Sequence, residues 1–196
     1  MPIDLLGDHV LQNYEVHEWH HATAVLHTDF PQEFADLVNV LTKFGLPQSS
    51  IVTPGGRKSP ISIAINGMFD ELGWEEKSFD VKITVDGASH PSPTHNVDYY
   101  KNNIAIETEW NNKDPFYDRD LNNFRLLHTL GVVSVGVIIT RASSLQQIFN
   151  DLGRGKSFGR STTHMSKLLP KAEGGGAGGC PVLAFGITPK LYDPTK

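Results

Sequence analysis

With 196 residues, 39% of them hydrophobic and 20% charged, the chain has the makeup of an ordinary globular protein, and we read 1–196 as a single domain. That balance excludes disordered, collagen-like and coiled-coil classes, and no apolar run approaches the ~20 residues of a membrane span. The lone Cys180 allows no internal disulfide, and the start MPIDLLGDHV lacks the basic and apolar parts of a signal peptide, so a cytoplasmic protein with no membrane partner is expected. The net charge of −5 conceals an asymmetry: residues 1–120 hold 8 Lys/Arg against 19 Asp/Glu, whereas residues 121–196 hold 9 against 3. Between 152 and 171 there are five cations (Arg154, Lys156, Arg160, Lys167 and Lys171) and no acid. Such a stretch can track phosphates even on an acidic protein, or it can be a solvated surface loop.

In chain order, the first helix is expected over 32–44, capped at Thr28 or Asp29 and stopped by Gly45 and Pro47, with Phe34, Leu37, Val38 and Leu41 as its apolar stripe. A second starts at Ser59-Pro60, a cap followed by a first-turn proline, and runs towards Gly73. The period then changes to two: Phe79, Val81, Ile83 and Val85 predict a half-buried strand, followed by a turn-rich connection over 86–96. Strands over 104–110, 132–140 and 182–187 alternate with helices over 117–130 and 144–152. VVSVGVIIT is apolar on both faces and predicts a central strand, so the class is α/β, a central mixed β-sheet flanked by helices. Residues 153–179 read as a long Gly-rich loop, of a length that is usually functional or disordered.

The chemistry concentrates in VDYYKNNIAIETEW, residues 97–110. Glu107 and Glu109 are two apart in an expected strand and so share a face, roughly 6–7 Å apart. Two like charges there repel and lose hydration unless a cation lies between them. With Asp98, at the mouth of the preceding turn, they make three acids able to converge on Mg²⁺, which prefers oxygen ligands. The alternative is an exposed strand face or a charged edge.

Asp, eight residues, Glu-x-Glu, then a helix and an apolar strand resembles the PD-(D/E)XK nuclease core. In particular it resembles the type II restriction endonucleases of the BamHI, BglII and BstYI group, which place Glu or Gln where most such nucleases have Lys. SPISIAINGMFDELGWEEK, IAIETEWNN, VGVIIT and PVLAFGI match that group's elements in order. The resemblance implies a Mg²⁺-dependent homodimer that cuts palindromic double-stranded DNA, with a possible GATC-centred site, leaving 5′-phosphate ends. It assigns Asp98, Glu107 and the Thr108 carbonyl to the metal, Glu109 to the attacking water, and Glu76 (or its neighbour Glu75) to the catalytic set. Asn111 and Asn112, followed by Lys113, fall where the group reads bases, and an Asn amide offers the donor and acceptor pair that reads adenine. Arg154, Lys156, Arg160, Ser161, Thr162 and Lys167 are the expected DNA contacts of the basic stretch. A repair or structure-specific nuclease and a non-catalytic DNA-binding relative are the rival readings.

Other signals carry less. GRGKS at 153–157 has Asn150 where a phosphate-binding P-loop needs Gly, and it follows a helix where a strand is required. HEWHH at 17–21 lacks a metal-binding i, i+4 pair on a helix, and Cys180 has no positioned base.

Overall fold

The computed structural model describes residues 2–53, 59–92 and 94–196. In chain order these form α1 (Gly7–Asn13), β1 (Tyr14–Trp19), α2 (Ala22–Asp29), α3 (Pro31–Lys43), β2 (Leu46–Pro47), α4 (Gln48–Val52), α5 (Pro60–Asp70), β3 (Glu75–Lys77), β4 (Val81–Val85) and β5 (Ala88–Ser92). There follow β6 (Val97–Lys101), β7 (Ile104–Glu109), α6 (Phe116–Thr129), β8 (Val135–Arg141), α7 (Gln146–Asp151), α8 (Met165–Glu173), β9 (Val182–Ile187) and β10 (Tyr192–Asp193).

Six strands make one mixed sheet in the order β1-β9-β8-β7-β6-β3. The three inner strands β9, β8 and β7 are parallel, and antiparallel pairs close both sides. Every residue of β7, β8 and β9 is buried, as expected when helices cover both faces. The side-chain period of two sorts each strand between two cores. Ile104, Ile106, Val137, Ile139, Leu183 and Phe185 pack with α1, α2, α3 and α5. Ala105, Ile138, Val182 and Ala184 pack with Tyr117, Leu121 and Phe124 of α6 and Leu168 of α8. Glu107 and Glu109 follow Ala105 at the same parity, so they point to the α6 side. There α6 sits very close to the sheet: a Cβ on Gly136 of β8 would lie 2.4 Å from Phe124 Cδ2.

Ser59 caps α5 as expected, its Oγ accepting from Ser62 N–H at 3.0 Å. Three expectations need correction. The strand expected to be half-buried over 79–85 is β4, which pairs only with β5 in a separate hairpin and leaves Ile83 and Val85 about half exposed. Alternation fixed its period but said nothing of what covers its apolar side. The connection over 86–96 contains β5, entered through Asp86-Gly87, both at positive φ as a two-residue hairpin turn requires; its Pro93 lies outside the described residues. Residues 153–179 are not one loop, since they contain α8, whose last turn includes Pro170.

Candidate active site

Asp98 lies within β6 and not in a turn, because Asn102 and Asn103 make the tight turn from β6 into β7 with φ of 43° and 66°. Asn tolerates that left-handed backbone, and a two-residue turn of this kind fixes hairpin register. Tyr99 therefore faces Ile106 and Tyr100 faces Ala105, which brings Asp98 beside Glu107 one step further on. There the Asp98 carboxylate accepts from Thr108 N–H at 2.9 Å, and Asp98 N–H approaches Glu107 Oε2 at 3.4 Å. The alternative of an exposed strand face does not hold: Glu107 is 1% and Glu109 2% exposed, on an inner strand.

Three further titratable residues, His95, Asp120 and Arg119, gather round the Glu pair from outside the motif. His95, ahead of β6, places Nε2 3.1 Å from both Glu107 Oε1 and Asp120 Oδ1. Asp120 is on the buried stripe of α6 and is fully buried. Arg119 Nη2 also reaches Asp120 Oδ1, at 2.8 Å, and Glu109 Oε1 at 3.4 Å. The end of β7 is pinned in turn: Thr140 Oγ1 donates to the Glu109 carbonyl at 2.7 Å and lies 2.6 Å from Tyr117 Oη.

Burial, above all, pushes both Glu carboxyls well above the ordinary range. The Asp120 and Asp98 charges add to this at Glu107 while His95 opposes it, and at Glu109 the Asp120 charge adds while the Asn112 hydrogen bond opposes. His95 is raised to about 9: burial works against its charge, but the hydrogen bonds to Asp120 and Glu107 outweigh it. Three buried carboxylates are thus faced by one imidazole and one guanidinium.

Glu76 stands outside this group. It is exposed in the bulged edge strand β3, where its carboxylate accepts from Asn96 Nδ2 at 2.8 Å, and Glu75 is exposed beside it, opposite Tyr100.

The expected DNA contacts fall on one seam. Asn111 Nδ2 donates to the Ser157 carbonyl at 3.1 Å, Lys113 pairs with Thr162 in an antiparallel bridge, and Asp114 N–H donates to Ser161 O at 3.1 Å. The Asn112 carbonyl accepts from Thr163 N–H at 2.8 Å and Asn112 N–H donates to the Thr163 hydroxyl at 3.2 Å, while the Asn112 side chain donates to Glu109 Oε2 at 2.8 Å. Lys156, Arg160 and Ser161 are exposed. Lys167 is 3.5 Å from Asp114, Lys171 is paired with Asp118, and Arg154 is half-buried. Acids absent from the segment are thus supplied from α6 and the turn before it. The Thr162 hydroxyl accepts from buried Arg141 at 2.9 Å and donates to Gly159 O, so it ties the segment to β8.

Sequence reasoning missed His95, Asp120, Arg119 and Arg141. Asp120 left a signal: with Tyr117, Leu121, Phe124 and Leu127 it falls on the apolar stripe of the helix expected over 117–130, where an acid needs a partner. His95, within a turn-rich stretch, left none.

A mixed sheet with helices on both faces and buried carboxylates on an inner hairpin defines a restriction-endonuclease-like α/β fold. The family model for restriction endonuclease BglII/BglIII matches residues 14–187, and the chain belongs to that family of DNA-acting nucleases. No curated protein matches it.

Proposed function

We propose that the chain is a Mg²⁺-dependent type II restriction endonuclease that acts in the cytoplasm as a homodimer, each protomer one domain of residues 1–196 cutting one strand of a palindromic duplex. The observation that carries this reading is the pair of buried glutamates on β7, beside Asp98, in a chain of this family. Twofold symmetry in the protein would match twofold symmetry in the site, for which a GATC-centred palindrome is our candidate.

The donor set fits a hard cation: Asp98, Glu107 and the Thr108 carbonyl offer only oxygen, and buried Glu107 has a single long N–H approach at Oε2 from Asp98. These groups would hold Mg²⁺. When bound, the ion supplies a more acidic water and neutralises charge on the scissile phosphate. Glu109, two residues further along the same buried face, would in its ionised form take the proton of the attacking water. As the new P–O bond forms, the bond to the 3′ oxygen breaks, leaving a 5′-phosphate and a 3′-hydroxyl. Asn112 and Arg119 hold the Glu109 carboxylate from two sides and fix its direction. Asn111, Asn112 and Lys113 serve base reading, and Arg154, Lys156, Arg160, Ser161, Thr162 and Lys167 serve the backbone and flanking bases. Glu76, exposed on β3 and bonded to Asn96 next to His95 in the chain, is the remaining candidate for the catalytic set.

Plasmid digestion in Mg²⁺ tests the reading. Discrete fragments with 5′-phosphate ends are expected; a smear would replace it with a non-specific nuclease, and intact plasmid with a DNA-binding protein.

A further inference from the structure

The two oxygens of Glu107 face different neighbours. Oε2 looks towards Asp98, where the Mg²⁺ ligands gather, and Oε1 looks towards His95 and Asp120. On that second side the groups are spaced as ligands: His95 Nε2 is 3.1 Å from Glu107 Oε1 and 3.1 Å from Asp120 Oδ1, and all three atoms lie within 4.8 Å of one another. Ligands about 2.1 Å from a shared ion stand roughly 3.0–3.4 Å apart in octahedral or tetrahedral geometry, and both separations from His95 Nε2 already fall in that range.

A second observation points the same way. Asp120 is fully buried, yet its Oδ2 has no hydrogen-bond donor, and Asn123 Oδ1, one helical turn away and 3% exposed, is likewise unpartnered. An unmatched buried carboxylate oxygen is costly and asks for a cation or a proton. A proton held jointly with Glu109 is the competing answer.

We infer that Glu107 bridges two cation positions, and that the one on its Oε1 side, completed by His95 and Asp120, takes a borderline transition ion such as Mn²⁺, Co²⁺ or Zn²⁺. An imidazole among carboxylates selects these ions over Mg²⁺, which favours an all-oxygen shell. His95, with 19% of its side chain exposed, gives the route in from solvent. Arg119 donates from Nε and Nη2 to the same Asp120 Oδ1, at 3.0 and 2.8 Å, and so holds that oxygen in place as a supporting partner does for a ligand. The site shares only Glu107 with the Mg²⁺ set and stands whether or not the chain cuts DNA.

Chelator-stripped full-length protein is titrated with Mn²⁺ and examined by pulsed EPR, in which ¹⁴N modulation reports an imidazole ligand; Zn²⁺ affinity is measured by calorimetry. The wild type should show the modulation. His95→Gln should lose it, and both His95→Gln and Asp120→Asn should weaken Zn²⁺ beyond the roughly 10–100-fold that loss of a supporting partner gives. Melting curves check that each variant folds. If His95→Gln does not, ¹⁵N-histidine wild type gives the same answer through the shift of the His95 ring nitrogens on adding Zn²⁺. Bound Mn²⁺ without modulation overturns the inference, as does modulation that survives His95→Gln, since the chain has 9 His in all. Wild-type cleavage in Mg²⁺ alone is read in parallel, so failure of the second site and failure of the nuclease reading give different results.

Discussion

The side-chain amide of Asn112 donates to Glu109 Oε2 across 2.8 Å. The group expected to read a base therefore also holds the group expected to receive the proton of the attacking water. If the Asn112 amide turned to a base edge, the Glu109 carboxylate would lose a restraint and a hydrogen bond that opposes its raised pKa. On the proposed function, recognition and chemistry would meet in one contact.

Asn112→Ala should accordingly lose roughly 1–3 kcal/mol of discrimination against a wrong base and also lower the single-turnover cleavage rate on the correct site. Affinity and rate are measured on cognate and singly substituted duplexes. An equal loss of affinity on every duplex would remove Asn112 from base reading, and an unchanged rate would uncouple it from Glu109.

Glu107→Ala should abolish cleavage while binding of the cognate duplex survives, because a negative charge near the scissile phosphate is removed along with the metal ligand. A folded variant that retains a tenth of the wild-type rate, or roughly so, would contradict its role.

The pH dependence of stability has a definite sign. Glu107, Glu109 and His95 all hold their protons more tightly folded than unfolded. Their contribution is fully present below the unfolded values, 4.5 for the carboxyls and 6.5 for His95, and is lost as pH rises through the folded ones, about 9 at His95. Without divalent metal the melting temperature should fall as the pH is raised over that interval. Excess Mg²⁺, which binds the deprotonated acids, should raise it and flatten the profile, by about 2.7 kcal/mol at a hundredfold excess over Kd. Thermal melts across a pH series, with and without Mg²⁺, decide this; a metal-free protein that grows more stable with rising pH would refute the electrostatic account of the site.

Lys156 and Arg160 are the exposed cations of the basic segment, whereas Lys167 and Lys171 face acids. Replacing Lys156 and Arg160 together by Ala should weaken all duplexes alike and flatten the slope of log affinity against log salt by about one to two units. An unchanged slope in filter binding over a salt series would leave the segment a solvated surface.

Gly136→Ala should destabilise the protein by about 1–3 kcal/mol, since the added methyl would meet Phe124 at 2.4 Å and push α6, with Asp120 and Arg119, off the sheet. Denaturant titration measures the loss, and the metal affinity of the folded fraction should drop with it.

The sequence revealed the inner strands β8 and β9 most clearly, because each carries apolar residues on both faces. The Glu-x-Glu pair on β7 was legible for the opposite reason, being charge where only apolar residues are at ease. What escaped was set by distance along the chain. His95 and Asp120 meet Glu107 from 12 and 13 positions away, on opposite sides of β7, and no local period records that meeting. The hairpin β4–β5 was half visible: Asp86-Gly87 marks its turn, but its exposure follows from lying outside the main sheet, which is a matter of topology. Similarly, the Asn102-Asn103 turn carries the register that sets Asp98 against Glu107.

The bonds from Asn111, Asn112, Lys113 and Asp114 to Ser157, Ser161, Thr162 and Thr163 fuse the turn after the catalytic strand to the basic segment. Two stretches some fifty residues apart in the chain therefore behave as one jaw. If Lys156 and Arg160 grip the backbone and Asn112 reads a base as proposed, a duplex shifted by one phosphate at the first pair would also shift the base before Asn112 and the bond before Glu109. On the proposed function, the cutting position would then be a fixed offset from the place of reading, set by this seam of hydrogen bonds and independent of how tightly the DNA is held.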